Sequence, residues 1–197
     1  MFNVDPSSTL LIQTTELHAR SKINVSGSNN HVEFQDGVSG MFVINVRGDN
    51  NKIVIGKNVQ VLGTLVIRCA RANTEVVVGE ACTFQGKVRL LSHETSRITI
   101  GSDCMFSGEI LLTTSDMHAI FDDAGQRINN PSPVEIGNHV WIGADVRVLK
   151  GVKIGEGSVV GMGSVVVGGI YPASSIIAGI PAKIVREKIS WTRKIPG

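Results

Sequence analysis

The sequence predicts an all-β protein built as a parallel β-helix, and three features of the chain support this fold class. Aliphatic residues recur every six positions between residues 134 and 167. Glycine follows many of these aliphatic residues, and related blocks repeat farther upstream. An α-helix would need a period near 3.6 and an amphipathic strand a period of about 2, so neither element explains the pattern. Very short strands joined by tight corners do explain it, because a six-residue period is typical of a β-helix.

The clearest coils of this solenoid lie between residues 134 and 167. Six β-branched residues at this spacing are predicted to point into the core: Ile136, Ile142, Val148, Ile154, Val160 and Val166. Glycine comes directly after four of them, at Gly137, Gly143, Gly155 and Gly161. We expect these glycines to form the corners between strands, because glycine tolerates a positive φ.

Related blocks extend the solenoid toward the N-terminus. The residues that head the blocks are Phe34, Ile55, Val78, Ile100, Ile136 and Ile154, at spacings of 21, 23, 22, 36 and 18 residues. We interpret 18 residues as one plain coil with three faces, and 21 to 23 residues as a coil with small corner loops. The spacing of 36 predicts one long loop, at about residues 113–133, that leaves the stack. The pattern as a whole predicts roughly six or seven coils.

The two ends of the chain depart from the six-residue period. Residues 1–22 are compatible with a helix that begins at Asp5-Pro6 or with an irregular first coil. At the other end Pro181 interrupts the repeat, and the residues after it allow a short helix packed back on the solenoid. The predicted division is a β-helix domain over residues 1–182 and a basic tail or short helix over residues 183–197.

Length and composition fit one domain and exclude several other classes of protein. The chain has 197 residues and a formal net charge of only +2, which argues against a dedicated nucleic-acid-binding protein. No apolar run is long enough for a transmembrane helix, and the N-terminus lacks the basic start of a signal peptide. The three cysteines form no CxxC pair and are odd in number, which indicates reduced thiols and a cytoplasmic location.

Two segments carry a family resemblance, NHVWIGADVRVLKGVKIGEGSVVGMGSVV and AGIPAKIVRE. Together with the six-residue repeat, these segments closely resemble the left-handed β-helix acyltransferases, also called hexapeptide-repeat acetyltransferases. The resemblance implies a left-handed coil and a homotrimer with acetyl-CoA bound in grooves between adjacent subunits. It is strongest toward the enzymes that acetylate sugar hydroxyls, such as galactoside and maltose acetyltransferases and the O-acetyltransferases of capsular or lipopolysaccharide glycans.

His118 lies in the long loop, at the place where the resemblance implies the catalytic histidine. Loops on a rigid scaffold often carry function, and neutral imidazole is a suitable base near neutral pH. We expect His118 to take the proton of the attacking hydroxyl and to give it to the departing thiolate of CoA. Asp116 is the candidate for orienting the imidazole, although a backbone carbonyl, Asp122 or Asp123 could serve instead.

Trp141 falls between two inward-facing positions of the six-residue repeat, so its indole is predicted to point outward. An exposed indole is expected to cover a ligand or a neighbouring subunit. The resemblance implies that Trp141 lies near the thioester, as a catalytic and a cofactor-binding residue. The same resemblance implies further contacts with acetyl-CoA at Ala144, Met162, Val167, Gly168, Lys183 and Arg186.

Some of these cofactor positions depart from the family pattern. Met162 replaces a residue that is usually small, and Val167-Gly168 replace a Thr-Lys pair, so the groove is expected to be reshaped. Lys183 and Arg186 do match a basic pair, which would complement the phosphates of CoA. Gln85 occupies the position at which sugar-acetylating relatives have an acceptor-binding asparagine.

The predicted function is an acetyl-CoA-dependent O-acetyltransferase that acts on a sugar hydroxyl of a cell-surface polysaccharide or its precursor. The polysaccharide could be a capsule, an O-antigen or an exopolysaccharide. An antibiotic acetyltransferase of the same fold and a non-catalytic solenoid scaffold remain as alternatives. The γ-class carbonic anhydrases share the prism but hold zinc through histidines, two of them five residues apart. No two of the five histidines here have that spacing, so no metal is predicted.

Overall fold

A computed structural model describes residues 1–195 of the chain as a three-sided parallel β-solenoid. Pro196 and Gly197, the end of the predicted tail, lie outside the described residues. The first face is a parallel sheet of eight strands: β2 (Thr9–Ile12), β4 (His31–Phe34), β6 (Lys52–Ile55), β8 (Glu75–Val78), β11 (Arg97–Ile100), β14 (Val134–Ile136), β17 (Val152–Ile154) and β20 (Gly169–Tyr171).

The other two faces form one continuous sheet that bends at a corner. The second face holds β9 (Thr83–Phe84), β12 (Met105–Phe106), β15 (Trp141–Ile142), β18 (Val159–Val160) and β21 (Ser175–Gly179). The third face holds β1 (Phe2–Val4), β3 (Lys22–Ser26), β10 (Lys87–Ser92), β13 (Ile110–Thr113), β16 (Arg147–Val148) and β19 (Val165–Val166). Two long strands, β5 (Ser39–Arg47) and β7 (Gln60–Cys69), run through the bend and belong to both faces.

The core consists of columns of aliphatic and aromatic side chains stacked along the prism. The six predicted block heads are paired from coil to coil in the first face, and all are buried: Phe34, Ile55, Val78, Ile100, Ile136 and Ile154. On the second face the column contains two phenylalanines, Phe84 and Phe106, whose rings stack with centroids 4.7 Å apart. The six-residue period therefore predicted the inward-facing positions correctly.

The N-terminus adds a coil to the predicted number. Eight strands on the first face give about eight turns, not six or seven. The additional turn begins within residues 1–22, which form β1 and β2 as an irregular first coil. The helix considered for this segment was wrong, because β1 and β2 pair with β3 and β4 in parallel register and continue both sheets.

The glycines that follow the inward-facing residues have a different role from the one predicted. Gly137, Gly143 and Gly155 do not adopt a positive φ, but a Cβ at any of them would lie within 2.8 Å of the backbone of the next coil. Glycine is needed there because the coils approach closely, not because the backbone turns left-handed. The positive φ falls two residues later, for example at His139 (50°) and Asp145 (57°).

The C-terminal segment is a strand and not the predicted helix. Residues 182–187 form β22 (Ala182–Glu187), which pairs antiparallel with β21 after the chain reverses direction. The free edge of β21 offers backbone hydrogen-bonding groups, and the β-branched pair Ile184-Val185 suits a strand. No helix among residues 1–195 has the length and apolar character needed to span a bilayer.

Candidate active site

A long loop leaves the prism where the third face ends, between β13 and β14. An ion pair holds its base to the preceding coil: Arg127 donates from Nη1 to Glu94 Oε1 at 2.7 Å and from Nη2 to Oε2 at 2.8 Å. The hydroxyl of Ser115 also donates to Glu94 Oε2. Hydrogen bonds from Arg127 and Ser115 lower the pKa of Glu94 to about 2, so this carboxyl is ionised near neutral pH.

Asn129 fixes the segment around His118 from inside the loop. Its side-chain amide is nearly buried; Nδ2 donates to the carbonyl of His118 at 2.8 Å, and Oδ1 accepts from the backbone N–H of Ile120 at 2.7 Å. Met117 has a φ of 67°, which is uncommon for a residue other than glycine, and its N–H donates to Ser115 Oγ at 2.8 Å. The backbone of His118 is therefore held between two fixed residues.

The imidazole of His118 is exposed and forms no hydrogen bond within residues 1–195. The loop thus holds the backbone of this residue and leaves both ring nitrogens open to a substrate. A general base needs one such nitrogen, because the nitrogen that accepts the proton must reach the hydroxyl that loses it.

Asp116 has other partners than the predicted one. Its carboxylate accepts hydrogen bonds from Lys150 Nζ and, at 2.9 Å, from Asn129 Nδ2. These two donors, Lys150 first, lower its pKa. Within the described chain Asp116 therefore positions Lys150 and Asn129, and it forms no hydrogen bond with the His118 ring. Its role as the carboxylate that orients His118 stays a prediction.

Trp141 lies on the outer side of the second face, and its side chain on β15 is exposed to solvent, as predicted. The second tryptophan, Trp191, lies beside it, and the two ring centroids are 5.9 Å apart. Trp191 also stacks on His139, with centroids 4.1 Å apart, and donates from Nε1 to the carbonyl of His139 at 2.9 Å. No local pattern in the sequence predicted this aromatic cluster, although a tryptophan in a basic tail was a possible signal.

The tail that carries Trp191 is anchored by charge. Arg193 donates from Nε to Asp103 at 2.7 Å, and Asp103 also lies 2.6 Å from Nδ1 of His139. Burial raises the pKa of Asp103, but the hydrogen bonds from His139 and Arg193 outweigh it and the pKa falls below its usual value. Residues 189–195 therefore pack back on the prism as a docked segment next to Trp141.

The predicted cofactor positions fall on two different edges of the prism. Ala144 and Met162 occupy the same position of successive coils, at the corner between the second and third faces, and Met162 is exposed. Arg186 on β22 pairs with Ile176, which is two coils after Trp141 at the same position of the second face. Lys183 lies on the same strand β22. Val167 and Gly168 instead lie where the third face ends, near the base of the loop.

Gln85 lies at the corner between the second and third faces, three coils before the corner of Met162. It is exposed, and only its backbone is tied to the next coil, through an N–H that donates to Phe106 O at 2.9 Å. In one chain this position lies across the third face from the loop of His118. The structure thus separates Gln85 and Trp141 from His118. Residues 1–195 contain no group of three His, Cys, Asp or Glu side chains arranged to share a metal ion.

Comparisons with known proteins agree with this architecture. The family model described as bacterial transferase hexapeptide (six repeats) matches residues 133–168. The polysialic acid O-acetyltransferase of Neisseria meningitidis is 35% identical over 191 residues, which are 96% of this chain and 87% of that protein. Among solved structures, the polySia-specific acetyltransferase NeuO superimposes with a TM-score of 0.87 at 34% identity, covering 98% of this chain and 89% of that one. The polysialic acid O-acetyltransferase OatWY has a TM-score of 0.78 at 32% identity, covering 99% and 88%.

Proposed function

The chain belongs to the hexapeptide-repeat acetyltransferase family that includes polysialic acid O-acetyltransferases, and from this membership we propose that it transfers acetyl from acetyl-CoA to a hydroxyl of an acidic capsular polysaccharide. The observation that carries the proposal is the similarity to these enzymes along almost the whole chain. The names of the two similar enzymes, NeuO and OatWY, give polysialic acid as their acceptor. We take an acidic polysaccharide of this kind as the acceptor of the present chain. The antibiotic-acetylating alternative has no comparable support.

The loop geometry supports direct transfer with His118 as the base. One ring nitrogen would accept the proton of the sugar hydroxyl while its oxygen attacks the thioester carbonyl carbon. The C–S bond then breaks, and the imidazolium returns the proton to the thiolate of CoA. No acyl-enzyme is required, because the acceptor oxygen itself attacks.

The separation of the candidate residues supports a site formed between subunits. His118 belongs to the loop where the third face ends, while Trp141, Ala144 and Met162 lie across that face. A single prism does not bring these residues together, whereas two adjacent prisms in a trimer can supply one set each. We also place the reaction in the cytoplasm, since Cys69, Cys82 and Cys104 are free, buried thiols suited to a reducing compartment.

Titration calorimetry with acetyl-CoA tests the proposal without choosing an acceptor. We expect saturable binding at about one site per chain, followed by transfer of radiolabelled acetyl to purified polysialic acid. A neutral polysaccharide of matched length serves as the control acceptor. No detectable heat at millimolar acetyl-CoA, with no transfer to any glycan, would overturn the proposal and leave the scaffold alternative.

Substitution of Trp141 tests the predicted acetyl-CoA groove. The change Trp141→Ala should weaken acetyl-CoA binding by about thirty-fold or disrupt the trimer, since loss of a well-packed interface tryptophan costs about 2 kcal/mol or more. Calorimetry and analytical ultracentrifugation measure the two effects separately. Trp141→Phe retains an aromatic face and should lose less affinity. If affinity and sedimentation both stay at their original values in Trp141→Ala, the groove does not include this residue.

A further inference from the structure

A polar cavity of about 320 Å³ lies where the third face ends, in the coils that precede the loop. Its walls come from corresponding positions at the ends of β5, β7 and β10. The lining residues are Asn45, Arg47, Arg68, Cys69, Ala70 and His93. No carboxylate lines this cavity, although the chain as a whole contains 17 Asp and Glu residues. The site is therefore distinctly cationic in a nearly neutral protein.

The two guanidinium groups of the cavity and one buried ring nitrogen lack partners within the described part of the chain, whereas Asn45 Oδ1 accepts a hydrogen bond from Asn24 Nδ2. Arg47 and Arg68 are exposed and form no ion pair among residues 1–195, whereas Arg97, Arg127 and Arg193 all do. Nδ1 of His93 is buried and has no hydrogen-bond partner. A buried polar atom of this kind is costly unless something binds to it. Burial, together with the nearby charge of Arg68, lowers the pKa of His93.

A second depression continues the cationic surface along the third face. It has a volume of about 550 Å³ and shares Arg68 with the first cavity. Lys87 and Arg89 add two more cations, and neither side chain pairs with a carboxylate within residues 1–195. Apolar side chains lie between the cations, including Val43, Val66 and Leu91.

The cationic cavity is next to the base of the His118 loop. Ser92, the residue before His93, stacks on Thr114 in the next coil, with the two hydroxyl oxygens 3.4 Å apart. Glu94, the residue after His93, is the partner of Arg127 and Ser115 at the loop base. One coil rise of about 4.8 Å therefore separates His93 from Ser115, which precedes His118 by three residues.

We propose that this cavity is an acceptor subsite that binds the carboxylate of an acidic sugar, next to the sugar that receives acetyl at His118. The two guanidinium groups of Arg47 and Arg68 would bind the carboxylate oxygens, and a ring N–H of His93 would donate to the same group. This inference depends on the proposed function, because it assigns the substrate class of the same site. It explains why Arg47, Arg68 and His93 converge without a protein carboxylate between them.

The double substitution Arg47→Gln with Arg68→Gln tests the subsite. Both side chains are exposed, so the variant should fold normally. We expect the KM for a polysialic acid oligomer to rise by about ten-fold for each guanidinium removed, while kcat changes little. Each single substitution, Arg47→Gln or Arg68→Gln, is compared with Arg20→Gln, which removes one positive charge from an exposed arginine at a different corner. Calorimetry with the oligomer alone, at fixed ionic strength, should show the same loss of affinity without any turnover.

Two further probes, a carboxyl-reduced oligomer and inorganic phosphate, test whether the cavity recognises the sugar carboxylate or any anion. The carboxyl-reduced oligomer should bind the original protein and the double variant equally weakly. Equal affinity of the double variant and the original protein for the acidic oligomer would overturn the subsite, as would displacement of the oligomer by an equimolar amount of inorganic phosphate. If the proposed function itself were wrong, the original protein would transfer acetyl to no glycan. An incorrect subsite would instead leave transfer intact, with the same KM in the double variant.

Discussion

The change His118→Ala should lower kcat by roughly 10²–10⁴ and leave the affinity for acetyl-CoA nearly unchanged. The imidazole of His118 is exposed in the long loop, and the rest of the described chain occupies neither of its two nitrogens. Removing a base that acts only as the hydroxyl attacks costs transition-state stabilisation and little ground-state binding. Steady-state transfer to polysialic acid gives kcat, and calorimetry gives the affinity for acetyl-CoA.

A second histidine variant separates catalysis from general effects of the substitution. His31→Ala removes an imidazole from the first face, where His31 interacts with Glu33 and lies far from the loop. We expect this variant to keep normal turnover. A His118→Ala protein that also turned over at the original rate would remove this residue from the mechanism and direct attention to other groups of the loop.

The fold was largely predictable because the inward-facing apolar positions that determine it repeat along the sequence. Each coil has the same inward-facing positions, so the six-residue period can be recognised even where one aliphatic residue replaces another. The column from Phe34 to Ile154 was identified in this way, even where spacings vary from 18 to 36 residues. Corner loops and the long loop change the spacing without moving the register within a coil.

The errors arose where contacts outside the repeat determine the structure. The residues of β22 can form a helix by local pattern, and they form a strand because the edge of β21 is available for pairing. Glycines such as Gly155 were correctly located but wrongly explained. The reason for glycine there is the backbone of the next coil, where a Cβ would lie 2.4 Å from the nitrogen of Ala173. Such a distance depends on the stacking and is not visible in one coil's sequence.

The candidate site was predictable as a set of residues but not as a geometry. The long loop and its histidine are visible as an interruption of the period. The partners of Asp116 are not, because Asn129 and Lys150 are 13 and 34 residues away. The docking of Trp191 on His139 joins residues 52 positions apart, without any local pattern that indicates it. The cationic cavity likewise combines residues from three coils.

The change Ile142→Asp should destabilise the protein by about 3–5 kcal/mol, the cost of leaving an unpaired charge in an apolar interior. Ile142 is fully buried and lies between Phe106 and Val160 of the adjacent coils. In a solenoid each coil is stabilised mainly by its neighbours, so the coils after this position should lose order first. Urea denaturation followed by circular dichroism gives the free energy of unfolding.

The matched control for this change places the same charge on the surface. Ile170 is 80% exposed on β20, and Ile170→Asp should leave the free energy of unfolding within about 0.5 kcal/mol of its original value. Ile142→Val keeps the column apolar and should cost about 0.5–1.5 kcal/mol. If Ile142→Asp were no less stable than Ile170→Asp, the inward column would not be a dry core. The stacking that places the His118 loop, Trp141 and the cationic cavity on defined edges would then lose its basis.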